Sequence, residues 1–66
     1  MKTNTNEIIR LLARQGKTFG QVAKDAGIAY NTFAVIRKNG SGSPRSIYKI
    51  AKALGVEMEQ IMIQED

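Results

Sequence analysis

The sequence predicts an all-α fold of five short helices, and three observations lead there. No segment alternates apolar and polar residues over five or more positions, so there is no strand signature. Apolar residues instead recur at helical spacing in successive short stretches. Most of these stretches open on a residue able to cap free backbone amides or close on a glycine.

The first helix is expected from about Thr5 to Gln15. Asn4 with Glu7 three residues on has the form of a capping box, Ile8, Leu11 and Leu12 share one face, and Gly16 ends the run. Thr18 with Gln21 repeats the capping pattern and opens a second helix, which Gly27 stops after two turns. A third helix covers about Tyr30 to Lys38. Its cap position falls on Ala29, which has no side-chain acceptor to offer. Asn39 to Ser43 is the one loop-like run. Ser43-Pro44 then starts a fourth helix, with a serine cap and proline at the first helical position. Ile47, Ile50, Ala51 and Leu54 form its stripe and Gly55 closes it. A fifth helix begins near Glu57, with Met58, Ile61 and Met62 as its apolar face.

At 66 residues the chain is expected to form one domain over 1–66, with a small core and no deep cavity. It has no cysteine and no histidine, which removes thiolate ligands and the commonest general base. Its few carboxylates form no acid–base pair or metal cluster, so neither an enzyme nor a metal or other cofactor is expected. No apolar run is long enough to span a membrane, and MKTNTNEIIRLL lacks a secretory pattern, so a cytoplasmic setting is expected. The net charge of +4 is unevenly spread. Met1 to Val56 carry ten Lys/Arg against Glu7 and Asp25, whereas the end of the chain carries Glu57, Glu59, Glu65 and Asp66, with a short acidic tail at 64–66. A basic body suits a polyanion, although solvated surface charge is the plainer reading of the same residues.

Thr18 to Lys38 (TFGQVAKDAGIAYNTFAVIRK) carries the most information. Two short helices broken at Gly27, with small or apolar residues at Val22, Ala23, Ala26, Ile28, Phe33 and Ile36, pack closely on one another. Such a bihelical unit is the usual way for a small basic domain to place a helix in the DNA major groove. Pro44 to Val56 follows as PRSIYKIAKALGV. Together these stretches resemble the lambda-type phage repressor and Cro family, also called the XRE family, over roughly Glu7 to Met62. The resemblance implies a compact five-helix lambda-repressor-like DNA-binding domain whose helix-turn-helix unit is formed by helices two and three. It implies a transcriptional regulator, a small phage or bacterial repressor acting on a double-stranded operator.

Carrying the family's contact positions over implies base reading by Tyr30, Asn31, Ala34, Val35 and Lys38. It implies phosphate contacts at Thr18, Gln21, Asn39, Arg45 and Ser46. Asn31 has the amide that pairs with adenine, and Ala34 and Val35 suit thymine methyls. The plainer readings are a polar residue in a first helical turn for Asn31 and a cover for the core for Tyr30. Met58, Ile61, Met62 and Ile63 read mainly as core, and as a homodimer interface in the alternative. Two departures from the family pattern stand out. An arginine of helix one and its glutamate partner on helix three are replaced by Leu12 and Arg37, so Arg37 is expected to be a free surface residue that could lie near phosphate. Phe19 stands where many members place a glutamine against the DNA backbone. These departures, with the apolar Ala34–Val35 face, leave a protein-binding antirepressor or antitoxin as the alternative function.

Overall fold

The computed structural model describes residues 2–63, and the acidic tail expected at 64–66 lies outside them. Five helices follow in order: α1 (Thr5–Gln15), α2 (Phe19–Ala26), α3 (Tyr30–Asn39), α4 (Pro44–Leu54) and α5 (Met58–Ile61). α3 runs one residue past its expected end, and α5 is a single turn.

The caps explain most of these limits. Ser43 Oγ accepts from the Ser46 amide at 3.2 Å, and Thr18 and Gln21 form a reciprocal capping box with bonds of 3.1 and 2.9 Å. Gly27 closes α2 at φ 72°, a left-handed conformation that lets Ile28 turn straight into α3. Ala29 supplies no side-chain bond to α3, as its chemistry requires.

The box expected at α1 is only half made. Asn4 caps the Glu7 amide, but the Glu7 carboxylate turns to Arg10, with Nη2 at 2.9 Å, and to Gln60 Nε2 at 3.1 Å. The Asn4 amide donates instead to the carbonyl of Ile61. Hydrogen bonds from Arg10 and then Gln60 favour the ionised Glu7 and lower its pKa from 4.5 to about 2. A depressed folded pKa means that this tie stabilises the fold above the unfolded value and is lost as pH falls through the folded one. Melting temperature is therefore expected to drop more steeply between pH 4.5 and about 2 in the wild type than in Glu7→Gln. Parallel melting curves would show that the tie contributes nothing.

The core is one cluster drawn from all five helices: Ile8, Leu11, Leu12, Val22, Ala23, Phe33, Ile36, Ile47, Ile50, Ala51, Leu54 and Ile61. α4 lies at its centre, packed on α2 and on α5. The α1–α2 turn reaches over the end of α4, where Gln15 Nε2 and Lys17 Nζ donate to the Leu54 and Ala53 carbonyls at 2.8 and 3.2 Å. These bonds satisfy acceptors that a helix terminus leaves open.

The first residues are not an idle lead-in. Lys2 bridges to Ser41 and Thr3 to Met62, both antiparallel, so a short extended segment ties the α3–α4 loop to the chain after α5. That loop has little room for variation. A Cβ on Gly42 would lie 2.9 Å from Ile36 Cγ1, so the absence of a side chain lets the loop close on the core.

Candidate nucleic-acid interface

The structure separates the two faces of α3 cleanly. Phe33 and Ile36 are buried, whereas Tyr30, Asn31, Thr32, Val35 and Lys38 are exposed. Tyr30 and Asn31 open the helix, Ala34 and Val35 stand one turn further on and Lys38 another turn beyond, so all five expected reading residues share one side. Val35 is 53% exposed, an unusual position for a large aliphatic side chain. Ala34 is half-buried, so part of its small size serves the packing of α3 and not only the outer face.

A shallow groove of about 380 Å³ runs beside this face, between Asn31, Thr32, Val35 and Ile36 on one side and Ser41, Gly42, Ser43 and Ser46 on the other. It joins α3 to the start of α4. There Pro44 has no amide hydrogen and the Ser46 amide is taken by Ser43, so the Arg45 amide is the donor without a partner among the described residues. Ser43 also donates to the Ser46 hydroxyl at 3.0 Å. Of the expected phosphate residues, Ser46 meets the reading face across this groove, Arg45 is exposed beside it at the start of α4, and Asn39 is exposed at the far end of α3.

Thr18 and Gln21 sit at the start of α2. Their side-chain oxygens are engaged in the capping box, which leaves Gln21 Nε2 without a hydrogen bond among the described residues. The Tyr30 ring leans on this turn, where a methyl on Gly20 would come 4.0 Å from Tyr30 Cδ2. Tyr30 thus connects the start of α2 with the start of α3.

Two expectations need correction. Phe19 is not simply an exposed replacement for a polar contact: it is half-buried, packs on the core and meets Phe33 edge to face, with ring centroids 5.5 Å apart. Arg37 is not a free surface residue either. Its guanidinium carbon lies 3.7 Å from the centre of the Phe19 ring and 5.8 Å from that of Phe33. The two departures from the family pattern are therefore one contact. In sequence they lie 18 positions apart on different helices, and an aromatic and an arginine at such a distance give no local signal of pairing.

Charge favours an anionic partner. Between Lys17 and Val56 the only carboxylate is Asp25, and it faces Lys17 at 3.7 Å. Among the described residues no cluster of acidic, Cys or His side chains is able to hold a metal ion. No helix of the described residues is long and apolar enough to cross a membrane.

The bihelical unit, its exposed second helix and the basic surround define a helix-turn-helix DNA-binding domain. The chain belongs to the Cro/C1-type HTH DNA-binding domain family, whose model matches residues 7–66. No curated protein and no solved structure matches it. Membership makes the protein a DNA-binding regulator, in line with the resemblance read from Thr18–Lys38 and Pro44–Val56.

Proposed function

We propose that this protein is a sequence-specific repressor of the Cro-like kind. It acts as one domain, with its unit at 18–38, in the cytoplasm of a bacterial or phage-infected cell. α3 lies in the major groove of an operator. The observation that carries this reading is the outer face of α3, polar or apolar but free of acid, set between two helix starts that have unpaired amides.

Asn31 is the principal reader, since its side chain is exposed and makes no hydrogen bond among the described residues. Ala34 and Val35 meet thymine methyls, Tyr30 lies along the backbone beside α2, and Lys38 reaches a guanine or a phosphate. Thr18, Gln21, Asn39, Arg45 and Ser46 hold phosphates on either side. Two copies would pair through Ile63 and the uncovered parts of Met58 and Met62, reading half-sites one DNA turn apart.

The test is a titration of a random-sequence duplex pool at low and moderate salt, with sequencing of the retained fraction. A recovered motif with affinity falling steeply as salt rises is the expected outcome. Asn31→Ala is expected to cost about 1–3 kcal/mol on the selected site and to relax one base position. Equal weakening on every sequence would remove Asn31 from base reading. No duplex binding even at low salt would overturn the DNA reading and favour a protein partner on the Tyr30–Val35 face.

A further inference from the structure

We propose that Arg37, stacked on Phe19, is a DNA-phosphate contact; the assignment rests on the DNA-reading proposal above. Folding alone does not call for an arginine here. The Arg37 Nε is buried with no hydrogen-bond partner, a cost that leucine or methionine over the same ring would avoid. No carboxylate among the described residues pairs with Arg37, and α2 has no acidic residue in its first turn.

Phe19 is the first residue of α2, so the stack brings the guanidinium beside the positive end of that helix. The amides of Phe19 and Gly20 have no partner there among the described residues. Two positive groups side by side, with no anion from the protein, suit a phosphate supplied from outside. The rings fix the plane of the guanidinium before binding, so its outer Nη groups lose little freedom when they meet phosphate oxygens. Phe19 thereby acts as a positioning residue, where a glutamine would have made the backbone contact itself.

The experiment follows binding of a fluorescein-labelled mixed-sequence duplex by anisotropy across a salt series, with circular dichroism melts to establish folding. Arg37→Met is expected to weaken binding roughly tenfold and to reduce the slope of log K against log salt by about 0.9. Lys52→Met, which removes an exposed cation from the last turn of α4, should leave the slope as it was. Phe19→Leu should weaken binding while keeping the slope, since the charge remains. A folded Arg37→Met with the wild-type slope overturns the assignment and leaves the DNA reading intact. If Arg37→Met does not fold, Arg37→Gln decides: a slope lower by about 0.9 supports the contact, and the wild-type slope overturns it. A wild-type protein that binds no duplex at low salt overturns both readings.

Discussion

Replacing Phe33 by alanine is expected to destabilise the domain by about 3–5 kcal/mol, the range for removing a buried aromatic ring. Phe33 is the largest fully buried side chain, only 1% exposed. It belongs to the reading helix but packs inward, where it meets Phe19 of α2 and lies 5.8 Å from the Arg37 guanidinium. Its loss would open a cavity at the joint between the two helices that form the DNA-binding unit. At roughly 0.05–0.15 kcal/mol per residue, the 66-residue chain holds about 3–10 kcal/mol, so the loss removes a large share of its stability. Guanidinium denaturation followed by helical circular dichroism should therefore show the midpoint of Phe33→Ala far below that of the wild type. Tyr30→Ala, three residues earlier on the exposed side, should change stability by no more than about 0.5 kcal/mol. A wild-type midpoint for Phe33→Ala would mean that the α2–α3 joint is not where the fold is held.

Much of this architecture is legible because its signals are local. A capping residue, an apolar stripe and a closing glycine lie within a dozen positions of one another, as in Ser43 to Gly55. The inward and outward sides of α3 are legible for the same reason, since Phe33 and Ile36 are one turn apart. What stays hidden depends on partners distant in sequence. Lys2 and Thr3 form only isolated bridges, too short to show alternation, and their partners at Ser41 and Met62 are set by the finished core. Glu7 is within reach of the Asn4 amide, yet the carbonyl of Ile61 takes that donor and Arg10 takes the carboxylate. The Phe19–Arg37 stack joins two residues that look in sequence like separate losses of polar contacts. The candidate site divides in the same way. The positions on α3 come from the family resemblance and helical spacing puts them on one side, whereas the groove that Asn31 and Val35 share with Ser43 and Ser46 requires Gly42 to press the loop onto Ile36.

The C-terminal apolar residues divide between core and surface. Met58, Ile61, Met62 and Ile63 read mainly as core and alternatively as a face for a second copy, and the structure separates them. Ile61 is fully buried and its carbonyl accepts from the Asn4 amide, whereas Ile63 is 48% exposed. Met58 and Met62 are partly buried against the core. Ile61→Glu would place a carboxylate in a fully buried position within the aliphatic core, at a cost on the order of 3–5 kcal/mol. Ile61→Glu is therefore expected to unfold the domain, and a loss of association in that variant would say nothing about an interface. Ile63→Glu is the informative change, since a half-exposed site tolerates it within about 0.5 kcal/mol. Melting curves and sedimentation of both variants at micromolar concentration separate fold from assembly. A wild-type melt for Ile61→Glu would remove Ile61 from the core. A wild-type dimer that becomes a folded monomer on Ile63→Glu would place the interface on the segment after α5. A dimer that survives Ile63→Glu would exclude that segment, and with it the half-site pairing proposed through it.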